Sequence, residues 1–270
     1  GGTSMNITML GTGNSMVTEC YNTCFVLQDG EKHLLVDGGG GNTLLRQLKQ
    51  AGLDWKDMRE IFVTHKHVDH LMGIIWMIRM ICQNMKQGQY EGEAWIYGHD
   101  EVISLLKEMA EKLYPKKQTD FIGDRLHMVV VNDGEERTLM GHKVTFFDIQ
   151  STKVKQYGFC MDMGNGEKLT CCGDEPYNEC EKRYAENSKW LLHEAFCLYD
   201  QADEFHPYEK HHSTAKDASE HAELLGVKNL ILYHTEDKNI ACRKQLYTEE
   251  GRKYFRGNLY VPEDLEKIEL

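Results

Sequence analysis

No apolar run in this chain reaches the ~18–20 residues needed to cross a bilayer. The longest, from Leu71 to Ile81, is interrupted by Arg79. A membrane partner is therefore not expected. The N-terminus shows no charged-then-apolar pattern of a secretion signal, and Gly1 to Ser4 ahead of Met5 read as a cloning scar. Nine cysteines include no Cys-x-x-Cys pair, which argues against a cysteine-rich zinc module. Their odd number and the adjacent Cys171-Cys172 suggest no disulfide framework, so free thiols in a reducing cytoplasm are expected. Basic charge is also in short supply: 31 Lys and Arg face 43 Asp and Glu, for a net charge of −12. A protein that grips long nucleic acid normally carries a basic footprint, and this chain has none overall. Linkers, low-complexity segments and repeats are absent. With 270 residues, 41% hydrophobic and 27% charged, the composition fits a globular protein, read as one domain over 5–270.

What the chain does have is Thr64-His65-Lys66-His67-Val68-Asp69-His70, with three histidines and a carboxylate in six residues. It follows the β-branched run Ile61 to Val63 and precedes the apolar run from Leu71, so it reads as a loop between a strand and a buried helix. Residues two apart in an extended loop point the same way, so His65 and His67 can grip one metal ion together. Asp69 and His70 follow at the turn into the helix and can face a second. Imidazole and carboxylate are ligands that divalent zinc, manganese or iron accept.

Around this motif the chain alternates strands and helices. Asn6 to Leu10, Cys24 to Leu27 and His33 to Val36 read as strands, the last two joined by the Asp29-Gly30 turn. Asp37 ends the third and is followed by four glycines, Gly38 to Gly41, which permit positive φ and close backbone approach. Without a following Lys-Ser/Thr they make only a weak phosphate loop. A helix over Asn42 to Ala51, a strand over Ala94 to Tyr97 and a helix over Glu101 to Leu113 come next. Leu126 to Val131 and Lys143 to Phe147 read as strands joined through a charged turn. Gly158 to Met163 and Lys168 to Cys172 form a hairpin. Later come a strand from Trp190, a helix over Thr214 to Leu225 with Asp217 placed to cap it, a buried strand Leu230 to Tyr233, a last helix near Ile240 to Gly251, and a tail. Two runs of strands, each with helices, suggest two sheets flanked by helices.

The His-x-His-x-Asp-His pattern resembles the metallo-β-lactamase superfamily. Its flanks, Ile61 to Thr64 and Leu71-Met72-Gly73, are similar to the ribonuclease Z branch of phosphodiesterases. That resemblance implies an α/β (α+β) fold, a four-layered αβ/βα sandwich of two packed mixed sheets flanked by helices. It also implies two divalent metal ions, zinc first, with manganese or iron as alternatives. The match nominates Asp174, after Cys172-Gly173, as the carboxylate bridging both ions, and His234, after Leu232-Tyr233, as a ligand of the second. Asp37 matches the aspartate that supports the histidine loop from behind. His212-Ser213-Thr214 resembles the signature whose histidine serves as general acid, and His193-Glu194-Ala195 the stretch whose glutamate orients it. Asp69 takes a dual role by the same resemblance, as ligand and as acceptor of the attacking water's proton.

Two departures stand out. Where the family keeps a third histidine for the first metal, this chain reads Asp148-Ile149-Gln150-Ser151. An amide oxygen is a weaker zinc ligand than imidazole. Either the first ion is held loosely, or Gln150 weakens the enzyme, or His142 reaches in. The long arm with which ribonuclease Z clamps transfer RNA also has no room between Gln150 and Asp174. The leading expectation is a binuclear metal-dependent hydrolase of phosphoester bonds acting on a small phosphodiester or nucleotide. Open beside it stand transfer-RNA 3′ processing and, because of Gln150, a catalytically impaired metal- or nucleotide-binding protein. A homodimer is an open assembly state.

Overall fold

The computed structural model describes residues 5–270, and Gly1 to Ser4, expected as a scar, lie outside the described residues. Two compact units are formed. One contains 5–11, 21–132 and 265–270, and the other 12–20 and 133–264.

The first unit is organised on a mixed seven-stranded sheet. Met5–Gly11 (β1), Cys24–Asp29 (β2) and Lys32–Val36 (β3) run antiparallel, with Gly30 at φ 61° supplying the turn that β2–β3 requires. Glu60–Phe62 (β4), Ala94–Gly98 (β5) and Leu126–Val130 (β6) then join in parallel. Parallel strands need crossover connections. Helices supply them: Thr43–Gln50 (α1), Val68–Lys86 (α2) and Asp100–Leu113 (α3). The sequence shows why α2 is the central helix. Leu71, Ile74, Ile75, Ile78, Ile81, Cys82 and Met85 recur at helical spacing and are all buried, in one cluster with Leu10, Val26, Leu35, Ile61 and Ile96 of the strands. Among the described residues no helix is long and apolar enough to cross a membrane.

The second unit carries its own seven-stranded sheet. Glu136–Leu139 (β7), His142–Asp148 (β8), Tyr157–Gly164 (β9) and Glu167–Cys171 (β10) form an antiparallel meander. Trp190–Glu194 (β11), Asn229–Tyr233 (β12) and Asn258–Tyr260 (β13) are added in parallel. Ala215–Leu224 (α4) and Arg243–Arg252 (α5) connect them. The start of α4 is fixed by a capping box, in which Thr214 and Asp217 each bond the other's backbone N–H. Leu191, Ala218, Ala222, Leu230 and Tyr247 centre the core of this unit.

Two features differ from the sequence expectations. The charged stretch before Lys143 holds a strand of its own, β7, whose Glu136, Arg137 and Thr138 are exposed. A short polar edge strand has no apolar alternation to betray it. The tail likewise contributes Lys267–Glu269 (β14), which pairs with β1 and completes the first sheet.

The second core buries one carboxyl with consequences for stability. Glu181 is fully buried; its Oε2 accepts from the Asn178 N–H at 3.0 Å, and burial pushes its carboxyl up to about 8. The folded protein therefore holds a proton that the unfolded chain releases near the ordinary glutamate value, and stability falls as pH rises between the two. Glu181→Gln keeps the acceptor and removes the titration. We expect this variant to gain on the parent on going from pH 5 to pH 9, by an amount on the order of kcal/mol in chemical denaturation. Parallel stability profiles over that range would show the carboxyl to be ionised at no cost.

Candidate metal centre

Asp37 follows β3, and its backbone N–H continues the sheet by donating to Phe62 O at 2.9 Å. Its φ of 61° turns the chain, and its side chain points back to the next loop. Asp37 Oδ1 accepts from the Thr64 N–H and Oδ2 from the Thr64 hydroxyl, both at 2.8 Å, and Oδ2 also meets His70 Nδ1 at 2.7 Å. The Thr64 oxygen in turn lies 2.8 Å from His65 Nδ1. A carboxylate only accepts, so both rings carry their protons on Nδ1. His65 and His70 are thereby left with Nε2 as the lone-pair donor, the neutral form a divalent ion requires.

The rings are also brought together. His65 and His67 centroids are 4.7 Å apart at 80°, and His65 and His70 centroids are 4.2 Å apart. Asp69 and His70 lie in the first turn of α2, with Asp69 Oδ2 3.2 Å from His70 Nε2. The glycine run explains how α2 sits so near. Gly38 N–H donates to His70 O and Gly73 N–H to Gly39 O, each at 2.9 Å. A Cβ on Gly73 would lie 1.9 Å from Gly38 O. These glycines serve close backbone contact with the ligand-bearing helix.

The second unit holds the remaining expected residues. Asp174 follows Gly173, whose φ is 79°. Gln156 grips Asp174 twice: its Nε2 donates to Oδ1 at 2.6 Å, and its Oε1 accepts the Asp174 N–H at 3.0 Å. His234 ends β12 at φ 64°, with Nε2 3.6 Å from Asp174 Oδ2. His212 stacks on Phe196, centroids 4.8 Å apart and nearly coplanar at 3°, and its centroid is 5.5 Å from that of His234. Glu194, fully buried at the end of β11, accepts the Ser213 N–H at 2.5 Å and places Oε2 3.4 Å from His212 Nδ1. Burial pushes the Glu194 carboxyl well above its usual range, and burial, with the neighbouring Lys153 ammonium, lowers His212 to about 4. Desolvation thus favours a neutral pair.

Gln150 is exposed, with φ 57°, and its N–H donates to Asp148 Oδ1 at 2.7 Å. The amide that touches Asp174 is that of Gln156, six positions on. His142 Nδ1 meets Asp162 O at 2.9 Å. Sequence reasoning passed over Gln156, Thr64 and Lys153. Thr64, directly before the motif and able both to donate and to accept, carried the one usable signal.

A family model described as Anti-Pycsar protein Apyc1 matches residues 5–245. The chain belongs to the Anti-Pycsar protein Apyc1 family. Among its curated relatives is Ribonuclease Z of Archaeoglobus fulgidus, 25% identical over 314 aligned residues that cover 98% of this chain and 97% of that protein. Among solved structures, the metallo-β-lactamase fold protein YhfI from Bacillus subtilis superposes with a TM-score of 0.80 at 20% identity, covering 99% of this chain and all of that one. Human tRNase Z, short form, gives 0.71 at 20% identity over 97% of this chain and 98% of that one. This Apyc1-family chain accordingly has the metallo-β-lactamase fold, two seven-stranded mixed sheets flanked by helices, and is a metal-dependent hydrolase of the ribonuclease Z-like kind with a divalent metal site.

Two variants test the arrangement in this family member. Asp37→Asn tolerates the left-handed backbone but removes the carboxylate behind His70, so metal affinity should drop about 10–100-fold, read by competition with a chromogenic chelator. An unchanged affinity would mean that the imidazole needs no such partner. Gly73→Ala forces a methyl against Gly38 O, so the metal-free protein should lose about 1–3 kcal/mol in denaturant melts.

Proposed function

We propose that the chain is a binuclear metal-dependent hydrolase of phosphodiester bonds. By the resemblance of their motifs, His65, His67 and Asp174 would hold one ion, and Asp69, His70, Asp174 and His234 the other. Zinc fits these nitrogen and oxygen donors best, with manganese or iron as alternatives. Such ions, when bound, lower the pKa of a coordinated water toward ~7 and neutralise phosphate oxygens. The chain's own residues do the rest. Asp69 accepts the water's proton on a carboxylate oxygen. His212 serves the leaving oxygen, its plane held by Phe196 and its Nδ1 side by Glu194.

The observation that carries the phosphodiester reading is the His212–Glu194 pair. Hydrolysis of a β-lactam or a thioester needs no buried imidazole with a carboxyl behind it at this place, whereas a poor alkoxide leaving group does. Substrate size is argued from what flanks it. β9 and β10 are joined by a two-residue turn at Asn165-Gly166, and the net charge is −12, which favours a small diester or nucleotide over a long RNA. The names of the relatives favour the second reading, a ribonuclease Z acting on transfer-RNA precursors.

The metal-reconstituted protein should contain two ions per chain by elemental analysis. It should cleave bis-p-nitrophenyl phosphate or a cyclic nucleotide, with activity abolished by chelation and restored by zinc or manganese. His212→Ala should cost about a hundredfold to ten-thousandfold in turnover. Precursor transfer-RNA cleavage far above the small diesters would decide for the second reading. No turnover of any diester at full metal loading would leave a metal- or nucleotide-binding protein.

A further inference from the structure

The loop from Gln150 to Gln156, which starts where the resembled family keeps a third histidine, presents a lysine to the candidate site. Lys153 Nζ lies 3.4 Å from His212 Nε2. The loop that carries it is fastened beside Asp174 on both sides of the lysine. Thr152 N–H donates to Glu175 Oε1 at 3.4 Å, and Gln156 holds Asp174 at 2.6 Å. Between them the Lys153 N–H donates to Ser151 Oγ at 3.0 Å. His212 is fixed from the other direction by its stacking on Phe196.

An ammonium has three donors and no acceptor. In this contact His212 Nε2 accepts with its lone pair, and the ring proton sits on Nδ1, facing Glu194 Oε2. The N–H groups offered from this pair toward an incoming anion are those of Lys153. Lys153 is exposed whereas His212 is buried, so its flexible stem can turn the ammonium from an imidazole nitrogen to a phosphate oxygen without moving the loop. Trading a neutral acceptor for an anionic one strengthens the bond it makes. A second cation stands close by: Lys210 Nζ lies 5.1 Å from the Phe196 ring centre. In a chain of net charge −12 these lysines place positive charge where the proposed reaction needs it.

We propose that Lys153 is a substrate-binding residue whose ammonium, resting on His212 Nε2, takes up a phosphate oxygen of the bound diester; this rests on the phosphodiester reading. Lys153 then sets affinity for the phosphoester anion. A lysine that merely covers the imidazole would set none.

The test compares the metal-loaded parent with Lys153→Met, which keeps the stem and removes the charge, and Lys153→Arg, which keeps the charge. Inorganic phosphate binding is measured by titration calorimetry, and kcat and KM with bis-p-nitrophenyl phosphate. Lys153→Met should weaken phosphate binding and raise KM about tenfold, the size of one charge-assisted hydrogen bond. Metal content and Tm should be unchanged, and Lys153→Arg should restore most of the loss. Equal phosphate affinity in parent and Lys153→Met would overturn the proposal, as would no phosphate binding by the parent. Weakened phosphate binding in a protein that cleaves no diester would support Lys153 as an anion contact while removing the phosphodiesterase reading itself.

Discussion

The interaction on which the rest depends is the buried carboxylate of Asp37. It accepts from the Thr64 backbone, the Thr64 hydroxyl and His70, which is nearly the full capacity of the group. A carboxylate taken out of water is costly unless it is satisfied in this way. The satisfaction joins two strand ends and a helix start: Asp37 leaves β3, Thr64 follows β4, and His70 lies in the first turn of α2. One side chain thus locks the loop, the tautomers of two histidines and the entry of the central helix. The close approach of Gly38 and Gly73 is what brings the helix near enough for this bond to form.

The second unit repeats the device with different chemistry. Asp174 is gripped by an amide, and His212 is backed by a carboxyl that burial tends to keep neutral. In each case a chemically active side chain stands on a partner that fixes its orientation. His234 and Asp174 occupy strand ends whose left-handed turns, φ 64° at His234 and 79° at Gly173, aim them out of the sheet. Gly173 adopts this backbone without cost, whereas at His234 the strained conformation is held by the buried, paired strands β11 and β12.

Legibility differed from place to place for physical reasons. The histidine motif was readable because its spacing, its strand before and its helix after all lie within a few residues. His212 with Glu194 was readable only through resemblance, since Glu194 lies nineteen positions before Ser213, the neighbour of His212 whose N–H it accepts. Gln150 and Gln156 illustrate the limit. Both are glutamines in one short loop, and nothing in their order tells which side chain turns inward. The loop's attachment to Glu175 and Asp174, made across the fold, decides that Gln156 is buried and Gln150 exposed.

By itself the sequence determined the periodic elements: the alternating strands, the apolar stripe of α2, the Thr214–Asp217 cap, and the histidine loop between β4 and α2. These depend on neighbours within one or two turns of chain, so residue order suffices. Only the tertiary structure decided that the polar segment at Glu136 is an edge strand, that the C-terminal tail completes the first sheet beside β1, that the glycine run serves backbone contact with α2, and that Lys153 reaches His212. Each of these joins residues far apart in sequence, and such contacts are selected by the packing of whole sheets rather than by any local preference.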